Sequence, residues 1–392
     1  MLFPPIDPNE RFRSRRSAAR RRKRLRRGAL IAASLVAVAL LGVGAQFVGG
    51  ATESGRVETG LDAVTIATAS GPRPLPVEIR GIHVTMGLAS LPDKLEEYLE
   101  LERDGLTALE LDVKDEHGQI GFTPRSVPLA RKVGAARDFY APRAAARVVH
   151  EHGVHLVGRV VVFEDPILAT ARPDLAVRRS GGSVWRDAAG VAWANPYDRR
   201  VWDYNVDIAV AAARAGFDEI LFDYARFPSD GDIENARYAG RGSLARRDVI
   251  PSFLGYAARR LEPFDVRVSV AVFGLSATRD LGIGQLPRRM APFVDAVYPM
   301  AYPSLFGAGE LGLADPSATP GATVSQALRH FRRALQGRDV LLVPWVQDFT
   351  LLRPFGIDEV RAQIDAARLA GAKGYMLWNP EGIYTEGALS AP

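Results

Sequence analysis

The chain has 392 residues, 47% of them hydrophobic, and contains no cysteine. That length allows one large domain or two ordinary ones, and the missing thiols exclude disulfide scaffolds and thiolate chemistry. The formal charge of +5 has a local source: residues 11 to 27, RFRSRRSAARRRKRLRR, hold eleven Lys/Arg and no acid, so the remainder is mildly acidic and lacks the basic face that nucleic acid requires.

Residues 28 to 50, GALIAASLVAVALLGVGAQFVGG, carry no charge and are long enough to cross a hydrocarbon core of roughly 30 Å. A single transmembrane helix is expected here. The arginines on its N-terminal flank place residues 1 to 27 in the cytoplasm and the rest of the chain outside, which makes this a single-pass cell-membrane protein with the lipid bilayer as a partner. The rival is a cleaved signal peptide, with Val43-Gly44-Ala45 as a small-residue site. The long basic region and long apolar run favour the uncleaved anchor. Residues 51 to 78, rich in small residues, Gly and Pro, suit a linker.

From residue 79 to 392 the pattern becomes β-rich runs alternating with amphipathic stretches. Eight runs stand out: 79 to 85, 108 to 114, 155 to 163, 219 to 227, 267 to 274, 296 to 302, 340 to 347 and 374 to 380. Segments such as DRRVWDYNVDIAVAAARAG between them read as helices closed by glycine. Eight such alternations predict an α/β fold, a (β/α)8 TIM barrel whose final helix is short or missing. Chemistry in such a barrel lies where strands run into their following loops.

Alternation along the second run puts Glu110, Asp112 and Lys114 on one face, and three ionisable groups pointing into a barrel must pair or bind something. The fourth run, in DEILFDYARFPSDG, ends its apolar stretch on Asp223 with Arg226 just beyond. Asp223 and Asp112 come from alternate strands and are expected to face each other across an open mouth as a catalytic acid/base or nucleophilic pair. Lys114 and Arg226 are the expected charge tuners. Tyr298, Tyr302, Trp345, Gln347, Trp378 and Asn379 supply rings and polar edges that match a sugar, with His83 as a further hydrogen-bonding group. Trp185 and Trp193, in the loop after the third run, are outer subsites or local packing.

The stretches GIHVTMGLAS, ELDVKDEHGQIGF, WANPYDRRVWDYNVDIAVAAARAGFDEILFDYARFPSDG, VYPMAYPS and GYMLWNP together resemble a glycosyl hydrolase barrel family first catalogued as a domain of unknown function. The resemblance covers about residues 79 to 380, and the block ending in FDYARFPSDG is its specific part. It implies a TIM barrel, a polysaccharide or oligosaccharide partner, and Asp223 as a motif residue. The fifth run ends in VFGLSA and the sixth in AYPS, where related barrels carry acids, and the DxxDxDxE pattern is absent. The proton donor is therefore left among Asp112, Glu164, Asp348 and Glu381.

His150, His152 and His155 have metal-like spacing but fall on the rim opposite the chemistry, where helix-terminal interactions explain them. Asp112, Asp115 and His117 lack a partner histidine for a cation site. GAGELG at 307 to 312 has no following helix, so no dinucleotide site is expected, and no Walker loop or GxSxG elbow occurs. Neither metal nor organic cofactor is expected. The leading expectation is a membrane-anchored glycoside hydrolase acting outside the cytoplasm on a cell-envelope or extracellular polysaccharide. A non-catalytic glycan-binding barrel comes second and a metal-dependent hydrolase third.

Overall fold

The computed structural model describes residues 72–351 and 353–390. The basic tail, the apolar 28–50 segment and the linker up to residue 71 lie outside the described residues. Among the described residues, no helix is long and apolar enough to cross a membrane.

Each β-rich run forms a strand: β1 (Ile79–Val84), β2 (Ala108–Lys114), β3 (His155–Val161), β4 (Glu219–Asp223), β5 (Arg267–Phe273) and β6 (Ala296–Met300). The seventh run splits into β7 (Leu341–Leu342) and β8 (Trp345–Gln347), because Pro344 has no N–H to give the ladder. The last strand is β9 (Gly374–Trp378). All pairings are parallel, and β5 against β6 closes the ring. The result is a barrel of eight staves, β7 and β8 forming one of them.

Outside the ring stand α1 (Lys94–Leu99), α2 (Pro142–Glu151), α3 (Arg199–Ala215), α4 (Arg246–Leu261), α5 (Pro320–Ala334) and α6 (Ile357–Leu369). Asp198 caps α3 by accepting from Arg200 N, and Gly216 at φ +105 ends it in the left-handed conformation. The fifth stave is followed by the one-turn helix Pro287–Met290 and the 3-10 turn Ala291–Phe293, and no helix follows β9 among the described residues. Outward-facing strand residues such as Leu109, Leu111, Ile220, Phe222, Val270 and Val297 are fully buried against helix residues such as Ile208, Leu254, Leu328 and Ile364. This layer is the apolar core. The barrel interior is different in kind, being filled largely by ionisable groups and aromatic rings.

The alternation along β2 does not survive to its end. Asp112 is level with Arg159, but Lys114 is level with Val160, so Val113 is an extra residue that forms a bulge. One inserted residue reverses which face the next side chain takes. Lys114 consequently leaves the barrel and reaches into the layer beneath α3. There Nζ donates to Val161 O at 2.8 Å and to Asn205 Oδ1 at 2.9 Å, and it pairs with Asp165 at 2.7 Å.

Candidate active site

The interior end of β2, β3 and β4 carries one ionic cluster centred on Arg159. Its Nη1 donates to Asp112 Oδ1 at 2.7 Å, while Nε and Nη2 donate to Asp223 Oδ2 at 2.9 and 2.7 Å. Glu116, from the loop after β2, comes within 3.5 Å of the same guanidinium. Burial by itself would lower the Arg159 pKa, yet the charges of Asp223, Asp112, Glu116 and Glu110 hold it well above its ordinary value. Arg159 is thus a permanent cation joining the two expected catalytic acids.

Asp112 also lies 3.0 Å from His83 Nε2. Its burial raises the pKa, but His83 and Arg159 together outweigh that, and the net shift is downward. Asp112 is accordingly a carboxylate at neutral pH. Asp223 accepts from Tyr224 N at 2.7 Å on its remaining oxygen, Oδ1. Tyr224 has φ +49, a conformation costly for a bulky residue, and it ends β4 directly after Asp223. The strand stops at 223, four residues earlier than its apolar run, because the chain turns here.

Glu110 sits one step deeper on β2. It is completely buried, and burial pushes its pKa well up, reinforced by Asp112 and Asp223. Oε2 accepts from Trp345 Nε1 at 3.0 Å, while Oε1 has no partner among the described residues. Trp345 stacks on Trp378 with ring centres 4.5 Å apart, and Trp378 stacks on His83 at 3.9 Å with the planes 13° apart. The Arg159 guanidinium lies 5.1 Å from the Trp378 ring. Tyr302 joins at 6.5 Å from Trp378, its hydroxyl buried and, like His83 Nδ1, without a partner among the described residues. Within this layered floor, Trp378 is the ring that stays partly exposed.

The structure therefore brings together His83, Asp112, Asp223, Tyr302, Trp345 and Trp378. Asp223 is not open to solvent as expected, being 1% exposed, with Asp112 at 2%. Lys114 is corrected to the outer layer by the bulge. Arg226 donates to Phe227 O and Ser229 Oγ, with its guanidinium over the rings of Trp193, Tyr224 and Phe273. Gln347 is taken up by the backbone N–H and hydroxyl of Ser304 and by Phe349 O, so it braces a loop. Asn379 braces the C-terminal loop through Asp348 O and Ile383 O. Tyr298 lies near Glu219, whose charge adds to burial in pushing the phenol pKa up.

Among the other proton-donor candidates, Asp348 is held by the amide and hydroxyl of Thr385, Glu164 is buried and Glu381 is exposed. Trp185 and Trp193 are buried, bonding to Asp232 O and Asp187 respectively, which is local packing. The three histidines are explained by carboxylates more than by helix ends: His150 and Asp218 are 3.0 Å apart, His152 and Glu102 2.9 Å, His155 and Glu219 3.1 Å.

Sequence reasoning passed over Arg159, Glu110 and Glu116 as site residues. Arg159 had a signal, being the lone charge at an inward position in the apolar run HLVGRVVVF. A buried cation there needs carboxylate partners.

A family model described as "Putative glycosyl hydrolase domain" matches residues 81–384. No functionally curated protein matches the chain. Among solved structures the chain is similar to the glycoside hydrolase domain of PgaB (BpsB) from Bordetella bronchiseptica, with 16% identity and a TM-score of 0.57 over 78% of this chain and 95% of that one. It is also similar to the GH20 exo beta-N-acetylglucosaminidase from Vibrio harveyi, with 12% identity and a TM-score of 0.52 over 81% of this chain and 54% of that one. A hypothetical protein from Ruminiclostridium thermocellum ATCC 27405 is 32% identical, with a TM-score of 0.45 over 48% of this chain and 96% of that one. The two more distant likenesses are of fold, and the family match spans nearly the whole barrel. The chain belongs to the glycosyl hydrolase domain family which that model describes.

Proposed function

We propose that the barrel cleaves glycosidic bonds in a polysaccharide, with Asp112 and Asp223 as the reacting pair. The observation that carries this reading is two carboxyls from alternate strands, joined by one arginine above a stacked Trp345, Trp378 and His83 floor. A flat ring matches the apolar face of a sugar, and Trp378 is the exposed member. Asp112, kept ionised by His83 and Arg159, suits stabilisation of positive charge at the anomeric carbon or attack on it.

Asp223 takes the acid's role through Arg159. While the guanidinium is docked, both Asp223 oxygens only accept. A sugar that displaces the guanidinium meets Asp223 Oδ2, while Oδ1 stays held by Tyr224 N. Acid-assisted glycosidic cleavage needs one carboxyl to give a proton while the other stays charged, and Asp112 is the charged one. The anchor at residues 28 to 50 sets this activity at the outer face of the cell membrane, toward a cell-envelope or extracellular polymer.

A second reading, glycan binding without cleavage, has one specific support: Asp223 is 1% exposed and already fully engaged. Reducing-end release from a panel of polysaccharides separates the two. Asp223→Asn and Asp112→Asn are each expected to lower turnover at least about a hundredfold while the glycan still retards both variants on a native gel. Retention of a glycan that the wild type never cuts, with or without a chelator, would establish the binding module instead.

A further inference from the structure

The loop after β2 builds a second feature on the face that carries Asp112. Residues 119 to 123 and 135 to 140 run side by side: Ile120 N donates to Ala135 O, Arg137 N to Ile120 O, and Phe139 N to Gly121 O, each at 2.9 Å. Tyr140 fixes this small sheet to the site, its hydroxyl donating to Asp112 O at 3.0 Å. Beside it opens a cleft of about 640 Å³ lined by Thr123, Arg125, Arg131, Arg137 and Asp138, with Gly134 and Ala136.

The charges in this cleft are unbalanced. Arg125, Arg131 and Arg137 are all exposed, and among the described residues none of them is in an ion pair. The Arg137 guanidinium donates to Ala136 O, and the acid of the lining, Asp138, accepts from Thr123 Oγ1 at 2.9 Å. Three like charges around one concavity repel one another unless an anion enters, and the guanidinium fork matches a carboxylate in two parallel bonds. Arg137 is three residues from Tyr140, so by chain length it stands within about 10 Å of the residue that holds the Asp112 carbonyl.

We propose that this cleft is a subsite for an acidic polysaccharide, one bearing carboxylates along its chain, which extends from the mouth across the loop after β2. The proposal rests on the glycosidic reading for its direction, since the cleft lies on the loop whose Tyr140 holds the Asp112 carbonyl, but it concerns binding and is tested apart from turnover. A neutral glycan would gain nothing from the three arginines. An acidic one gains charge-assisted hydrogen bonds that weaken as salt rises.

The test uses the full chain in detergent on native gels cast with polygalacturonate or, as the neutral probe, hydroxyethyl cellulose. The triple variant Arg125→Ala/Arg131→Ala/Arg137→Ala is expected to bind polygalacturonate at least about tenfold more weakly, with no change toward the neutral polymer. The control pair Arg259→Ala/Arg338→Ala, in a cleft beside Val266, Asp295 and Asp339 on the opposite rim, is expected to leave retention unchanged. The arginines of residues 11 to 27 are common to every variant, so differences between variants isolate the cleft. Equal retention of the triple variant, equal weakening by the control pair, or an equal loss toward single-stranded DNA and anionic vesicles would each overturn the proposal. Asp223→Asn reads the other question: loss of cleavage with retention intact supports both readings, and an uncleaved but cleft-dependent polymer overturns only the enzymatic one.

Discussion

At the scale of single residues, Arg159 determines what the other charges do. It compensates Asp112 and Asp223 where neither reaches water, and a buried pair broken on one side costs about 3–5 kcal/mol. Arg159→Met, similar in length and without charge, is therefore expected to lower the urea unfolding free energy by that amount. An unchanged midpoint would mean that the cluster is not a structural unit. Asp115 offers a test by pH. Burial, then the charges of Glu116 and Asp112, push its pKa up to about 8, although Oδ1 accepts from His117 N and Gln119 N. The folded state then holds a proton that the unfolded chain releases near pH 3.9, so stability falls as pH rises from about 4 to 8. Asp115→Asn keeps an oxygen for both amides and removes the titration. Stability curves of the two proteins across that range should converge at low pH and separate toward pH 8, with the variant higher. Asp112 acts in the opposite sense: its depressed pKa adds stability that is present above pH 3.9 and fades as pH drops through the folded value.

At the scale of elements, two short irregularities place the charges. The bulge at Val113 sends Lys114 outward to Asp165, and the turn at Tyr224 stops β4 so that Asp223 ends at the mouth. Closure of the ring depends on an equally local feature. Gly374 begins β9 opposite Ile79, and a Cβ there would lie 1.9 Å from Ile79 O and 2.5 Å from Ile79 N. Both atoms are backbone and cannot swing away. Gly374→Ala is expected to cost more than about 4 kcal/mol, seen as a melting point lower by roughly 6 °C or more. A variant that melts with the wild type would show that β1 and β9 separate freely.

At the scale of the whole molecule, residues 81–384 match the family and form the barrel, whereas the proposed anchor lies ahead of them. The full chain is expected to stay with membranes through an alkaline carbonate wash, and a chain starting at residue 72 to dissolve without detergent and unfold cooperatively. Recovery of the full chain in the soluble fraction would end the anchor reading.

The fold was legible because its evidence is periodic and local. Apolar runs of strand length, broken by helix-length stretches, located every stave, and parity along the second run placed Glu110 and Asp112 inside. The parity argument failed at Lys114 because one extra residue resets it, and nothing in ELDVKDEH marks the bulge. Arg226, Gln347 and Asn379 were named for lying near strand ends, and each is bound to a loop or ring that sequence distance does not reveal. Sequence alone determined eight staves and which residue types face their interior, since alternation follows from the covalent geometry of an extended chain. Only the tertiary structure decided which charges meet, because Arg159 finds Asp112 47 residues away and Asp223 64 residues away through strand neighbourhood and register. Those exist once the barrel has closed.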